Sequence, residues 1–173
     1  MSSVFVWIET FNGKALPSSW EALGAGKLIA GKLNVPVTAL VFGENAEAVA
    51  GEAAQYGADK VFVSPDATLN GFRLGPYAAL LTKLVEEQKP KVVVTIGTSR
   101  GRELLAASAA DTNSGLLTEV TSLDVGGDGT ITVVRPVYAG KIVSEAAGSA
   151  AGTQYLALRG RAFKANEPNA GAK

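Results

Sequence analysis

Along the first two-thirds of the chain the apolar positions alternate between two patterns. Short continuous runs at Val4 to Ile8, Val37 to Phe42, Lys60 to Val63 and Val92 to Ile96 are rich in β-branched and aromatic residues. Runs of that kind suit strands buried on both faces. Longer stretches between them carry helical spacing. Pro17-Ser18 opens a helix with an apolar stripe of Ala22, Leu23, Gly26, Ile29, Ala30 and Leu33, and Asn34-Val35-Pro36 stops it. Ser18 and Glu21 have the spacing of a capping box. Asn45 is placed to cap a second helix with Val49, Ala53 and Tyr56 inside, and Gly57 supplies its left-handed end. The third helix has the clearest period, at Tyr77, Leu80, Leu81, Leu84 and Val85. Lys89-Pro90 ends it. A fourth runs from about Arg102 to Asp111.

Strand, helix and strand joined by short links predict parallel pairing through right-handed crossovers. The expected fold is therefore α/β: a doubly wound, mostly parallel sheet with helices on both faces. The last third changes character. Leu117 to Val125 and Thr130 to Val137 are strand-like around the Gly126-Gly127-Asp128-Gly129 turn, and Tyr138-Ala139-Gly140-Lys141 is a second turn. Tyr155 to Leu158 reads as a final strand. These pieces predict antiparallel hairpins on or beside the parallel sheet, with Pro136 at an edge or bulge because it cannot donate to a ladder. Trp7, Trp20, Phe42 and Phe62 are expected in or near the core. After Phe163 the composition is that of a linker, so the chain divides into a domain at 1–163 and a flexible tail at 164–173.

Composition narrows the chemistry. Of 173 residues, Lys and Arg number 16 and Asp and Glu 16, so no net field draws the protein to nucleic acid or an anionic membrane. Cys and His are both absent, which excludes disulfides, thiolate nucleophiles, imidazole bases and the commonest metal ligands. No metal site and no catalytic residue is expected, and no serine, lysine or carboxylate pair stands at a usable spacing for hydrolysis. The start lacks a basic segment ahead of its apolar run, and no run approaches the ~20 residues that span a bilayer. The expectation is a soluble, cytoplasmic protein with no membrane insertion.

Three stretches carry candidate chemistry. Gly97-Thr98-Ser99-Arg100-Gly101-Arg102 joins a buried strand to a helix, where free amides and the helix dipole favour an anion; the commoner reading of such a stretch is an ordinary capped turn. If the strand order is 3-2-1-4, a ligand crevice lies between the first and fourth strands. Glu9, Thr10 and Phe11 would then face Gly97, Thr98 and Ser99, with Glu9 either accepting from a ribose hydroxyl or pairing locally. Arg135-Pro136-Val137-Tyr138-Ala139-Gly140 offers Arg and Tyr anchors for a partner, or a plain hairpin corner.

Taken in order, these stretches resemble one family. The opening strand ending at Glu9, then Asn12-Gly13-Lys14 and Pro17, is similar to the start of electron transfer flavoprotein α subunits. So are Gly57-Ala58-Asp59-Lys60-Val61, Thr98-Ser99-x-Gly101-Arg102-Glu103-Leu104, Gly115-Leu116-Leu117-Thr118-Glu119-Val120, and above all Arg135-Pro136-Val137-Tyr138-Ala139-Gly140. The resemblance implies an amino-terminal domain that forms a base with the β subunit, of similar fold, through residues such as Arg135, Pro136, Tyr138 and Gly140. A flavin-binding domain rests on that base. It implies a carrier rather than an enzyme, moving electrons from dehydrogenases such as acyl-CoA dehydrogenases to a quinone reductase or other acceptor. The family's Ser-Gly-Ala-containing flavin motif is not in this sequence. FAD is thus expected only in the complete complex, with AMP only in the β subunit, and Glu9, Gly97, Thr98, Ser99 and Arg102 are weak crevice candidates. The alternative is a stand-alone nucleotide-binding module resembling universal stress proteins, whose glycine spacing Gly101 to Gly115 does not reproduce.

Overall fold

The strand that opens the chain, β1 (Val4–Trp7), is buried at every position because it lies inside a six-stranded sheet. The computed structural model describes residues 2–149 and 151–171. After β1 come β2 (Thr10–Phe11), β3 (Lys14–Ala15), α1 (Pro17–Leu33), β4 (Val37–Phe42), α2 (Ala46–Gln55) and β5 (Lys60–Ser64). A short 3-10 turn (Ala67–Leu69) leads to α3 (Leu74–Gln88), β6 (Val92–Ile96) and α4 (Ser99–Asp111). The last third adds β7 (Leu116–Val120), β8 (Ser122–Val125), β9 (Ile131–Val137), β10 (Ile142–Ala147) and β11 (Gln154–Leu158). The large sheet runs β5-β4-β1-β6-β11-β7, and every neighbouring pair is parallel. For the first four long strands the order is 3-2-1-4, the one on which the expected crevice depended.

Two apolar layers follow from the crossovers. Val4, Val6, Val37, Ala39, Val92 and Val94 point toward α1 and α2. The alternate residues Phe5, Trp7, Leu40, Phe42 and Val93 point toward α3 and α4. The antiparallel sheet β10-β9-β8 joins the α1 layer, contributing Ile131 and Val133, both fully buried. It forms the crossover between β7 and β11, where a doubly wound fold would ordinarily place a helix.

The last third departs from the sequence expectation in two ways. The run from Leu117 to Val125 is two strands. Glu119 adopts a left-handed conformation, φ 57°, beside a register irregularity opposite Leu156 and Leu158. Thr121 then donates from both its amide and its hydroxyl to the Val134 carbonyl. The first half stays in the parallel sheet and the second turns into the antiparallel one. The final strand, β11, is no hairpin partner; it inserts between β6 and β7 and is wholly buried. Pro136 pairs with Val143 of β10 beyond the point where β8 ends against Val134, so its missing N–H faces a side with no strand.

Local signals were also redistributed. Ser18 and Glu21 form no capping box: the helix begins at Pro17 behind Leu16 with no side-chain cap. Instead Ser19 bonds the Glu9 backbone and Glu21 accepts from the Arg161 amide. Asn45 makes no side-chain cap either; its φ is 53°, and its amide packs over Gly13. Phe62 is 38% exposed, because β5 is an edge strand. Beyond β11, Phe163 packs on the α1 layer. The Asn166 amide donates to the Tyr56 carbonyl at 2.9 Å and Asn169 N–H to the Gln55 carbonyl at 2.9 Å. The stretch with linker composition thus lies across α1 and α2 and supplies partners to α2's last carbonyls. Ala172 and Lys173 of that stretch lie outside the described residues.

Two consequences are measurable. A Cβ on Gly101 would overlap the Ile96 carbonyl oxygen, whereas Gly31 and Gly51 are helical with nothing within 4 Å. Gly101→Ala should therefore lower stability by about 1–3 kcal/mol, while Gly31→Ala and Gly51→Ala should each raise it by up to ~1 kcal/mol; urea midpoints give both signs. Asp59 accepts from Lys27 Nζ and from Val37 N–H, each at 2.8 Å. Burial pushes its pKa up, but the hydrogen bonds from Lys27 and Val37 prevail and hold it below the ordinary 3.8. The folded pKa being depressed, its contribution is complete above that ordinary value and is lost as pH falls through the folded one. Asp59→Asn should flatten the acid limb of the stability–pH curve, with a loss of about 1 kcal/mol near neutrality.

Candidate functional site

Because the sheet reverses its winding between β1 and β6, the carboxyl ends of those strands open a crevice, where open α/β folds take their ligands. The chain fills this crevice with its own groups. β1 ends at Trp7, and two residues later Glu9 turns its side chain toward the start of α4. Its backbone is locked there: Glu9 N–H donates to Ser19 Oγ at 3.0 Å, and the Glu9 carbonyl accepts from Leu16 N–H at 2.9 Å. Thr98 caps α4, accepting from Gly101 N–H at 2.9 Å. The same hydroxyl donates to Glu9 Oε2 at 2.6 Å. The Glu9 residue is 5% exposed.

The glycines serve this arrangement. Gly101 lies against the Ile96 carbonyl, and Gly97 N–H donates to the Leu158 carbonyl at 2.7 Å. The predicted anion turn is therefore the cap and first turn of α4, three residues ahead of the helix start expected from sequence. Ser99 is exposed. Arg102 bonds the Gly97 carbonyl at 2.6 Å and pairs with Glu119 at 3.3 Å. Arg100, part of the candidate turn, takes the outer position: its guanidinium lies 4.0 Å from Glu9 Oε1 and 5.6 and 5.7 Å from the ring centroids of Phe11 and Phe72. Phe72 in turn packs on Trp7 and Tyr77 at 6.1 and 5.0 Å, and burial pushes the Tyr77 pKa up. Phe72 and Arg100 left no periodic signal, since one follows an irregular turn and the other opens a helix.

A carboxylate thus stands where an incoming phosphate would need room, and the cap hydroxyl already holds the Gly101 amide. These residues do not fit the pyrophosphate of a flavin dinucleotide. A cavity of about 880 Å³ lies beside β7 and β11, lined by Asp111, Thr112, Leu116, Thr153 and Tyr155 among others. The Tyr155 hydroxyl in it contacts Thr112 Oγ1 at 2.9 Å and Ser108 Oγ at 3.1 Å. Among the described residues no group of His, Cys, Asp or Glu could hold a metal ion, and no helix is long and apolar enough to cross a membrane.

The hairpin candidates diverge. Arg135 turns inward, its guanidinium 3.4 Å from the Thr118 carbonyl and hydroxyl, tying β9 to β7. Pro136 is half-buried. Tyr138 is 78% exposed at the tip, with Ile142 and Val143 51% and 69% exposed beside it. Tyr138 and Ala139 both adopt left-handed conformations, φ 50° and 53°, ahead of Gly140 at φ 84°, and Gly140 N–H closes the turn on the Val137 carbonyl at 3.1 Å. Two left-handed central residues make a mirror-image turn, which matches the strand twist but is costly for a tyrosine.

Coupling through the Thr98 hydroxyl is open to a double-mutant cycle. Thr98→Val should cost about 1–2 kcal/mol in chemical denaturation. Combining it with Glu9→Ala should reveal at least ~0.5 kcal/mol of non-additivity; strict additivity would mean that the carboxylate does not lean on the cap.

Comparison with known proteins gives the family. Residues 4–173 match the electron transfer flavoprotein domain family. The chain is 38% identical over 143 residues to Protein FixB of Azorhizobium caulinodans, covering 81% of this chain and 39% of that protein. It is 34% identical over 142 residues to the electron transfer flavoprotein subunit alpha of Clostridium acetobutylicum, covering 82% and 42%. Over 164 residues it is 30% identical to the lactate dehydrogenase (NAD(+),ferredoxin) subunit LctC of Acetobacterium woodii, covering 95% and 39%. The chain therefore spans about two fifths of the length of these curated relatives, and it belongs to the electron transfer flavoprotein family.

Proposed function

We propose that this polypeptide is the amino-terminal base domain of an electron transfer flavoprotein α subunit. It binds a β subunit, supports a flavin-carrying domain, and performs no redox chemistry itself. The observation that carries this reading is the contrast between two surfaces. The crevice is closed by Glu9, Thr98, Arg100 and Phe72, while the β9–β10 hairpin presents Tyr138, Ile142 and Val143 to solvent. A large tyrosine held in a costly backbone conformation at an exposed tip has the chemistry of an interface anchor.

On this reading FAD is housed by the other parts of the complex, and AMP, where present, by the β subunit. The complex accepts electrons from dehydrogenases, acyl-CoA dehydrogenases among them, and delivers them to a quinone reductase or another acceptor. The relative in Acetobacterium woodii is named as a lactate dehydrogenase subunit, which suits a scaffold that does not itself select the donor. A stand-alone nucleotide-binding role loses its support with the crevice filled.

Co-expression of this chain with a β subunit and an α-subunit flavin-binding domain should yield a yellow complex, and Tyr138→Ser should weaken its association by about tenfold or more, as removal of a central aromatic anchor does. A colourless, non-associating mixture would count against the proposal. So would tight calorimetric binding of AMP or FAD by the isolated chain.

A further inference from the structure

A glycine inside a helix weakens it unless something uses the space that its missing side chain leaves. α1 holds Gly24 at its middle, and there the Lys164 carbonyl passes so close that a Cβ would overlap its oxygen. That carbonyl belongs to a segment bonded to both helices. Arg161 N–H donates to Glu21 Oε2 at 2.6 Å, and Phe163 packs into the apolar layer of α1. Asn166 Nδ2 donates to the Tyr56 carbonyl at 2.9 Å and lies 3.2 Å from where a Cβ on Gly57 would stand. Tyr56 is held in turn by its ring, stacked on Trp20 with centroids 4.5 Å apart and planes 5° apart. Asn169 N–H donates to the Gln55 carbonyl at 2.9 Å, and Gly171 N–H turns back on Asn169 Oδ1 at 3.0 Å. Pro168 biases Glu167 toward an extended backbone, which lowers the cost of ordering the segment.

These contacts give the segment a direction. It leaves β11 beside the crevice, where the Leu158 carbonyl accepts from Gly97 N–H. Its first bond is to Glu21, near the start of α1, and its last is to the end of α2, just ahead of the amino end of β5. We infer that residues 159–169 are a built-in strap, and that the flavin-carrying domain is tethered from the end of α2 instead of the end of β11. This rests on the proposed base role and adds to it the place where the support begins. The reach of a tether is set by its free length. The strapped residues are withdrawn from that length, and the domain beyond them is confined to the β5 flank of the base.

Amide exchange and limited proteolysis on the chain alone read the strap. The Arg161 and Asn169 amides should exchange about tenfold or more slowly than in an unstructured chain. Gly24→Ala should strengthen α1 yet push the strap off. Both amides then return to unstructured rates, and tryptic cleavage after Lys164 speeds up by about tenfold or more. Gly31→Ala, whose Cβ meets nothing within 4 Å, should change neither. A paramagnetic label reads the tether. The chain has no cysteine, so Ala170→Cys carries a single nitroxide. It should broaden the amide signals of Ala54 to Gly57 and spare those of α4, both in the chain alone and in its complex with a β subunit and a flavin-binding domain joined after Lys173. Unprotected Arg161 and Asn169 amides in the chain alone would overturn the strap while leaving the base role intact. Loss of the broadening on assembly would overturn the point of departure. Absence of any complex would overturn the base role and the tether with it, even where the strap amides stay protected.

Discussion

A parallel sheet buried on both faces must be covered on both faces, and that requirement organises the molecule. α3 and α4 cover one side along its length. On the other, α1 and α2 reach only as far as β6, which leaves the added strands β11 and β7 bare. The antiparallel sheet closes that gap by setting Ile131 and Val133 into the same layer as α1. Its existence is thus a packing necessity before it is a functional surface. Its inner face is spent on the core, while Tyr138, Ile142 and Val143 at its hairpin stay exposed.

The same economy explains the crevice. A doubly wound sheet always produces an opening where its winding reverses, and an unfilled opening leaves amide donors at a helix start without partners. Many proteins of this architecture recruit a phosphate to meet them. Here the Thr98 hydroxyl meets the amide and Glu9 meets the hydroxyl, with Arg100 stacked between two phenylalanines on the outside. The crevice is occupied by the chain's own side chains, which suits a part whose proposed task is to support other domains.

The architecture of the first two-thirds was legible because strand and helix periods differ and the links are short. The face each helix covers follows from crossover handedness once the strand order is known. The last third was legible only locally. That Gly126 to Gly129 is a turn can be read from composition, but the destination of β11 cannot. A short apolar run such as Gln154 to Leu158 serves a hairpin or a parallel sheet equally, and only the bare flank of β6 decides between them. The break at Thr121 escaped for a similar reason, since Glu119 carries no mark of its left-handed conformation. At the crevice, Glu9 and Thr98 were singled out and do meet, whereas Arg102 turned out to bind its own loop and Arg135 its own sheet. Long cationic side chains advertise charge in a sequence; the carbonyls of Gly97 and Thr118 that capture them carry no residue-type signature.

The position of β11 bears on how the chain assembles as it leaves the ribosome. β5, β4, β1 and β6 can pair as soon as residue 96 has emerged, but β7 has no sheet neighbour until β11, made about forty residues later, slides between it and β6. Through that interval the nascent molecule shows the open flank of β6, a run of four valine and isoleucine residues and one threonine. Pairings between segments so distant in sequence form slowly, and an exposed flank of this kind invites strands from other chains. The parallel sheet reaches its full width only when β11 lies between β6 and β7.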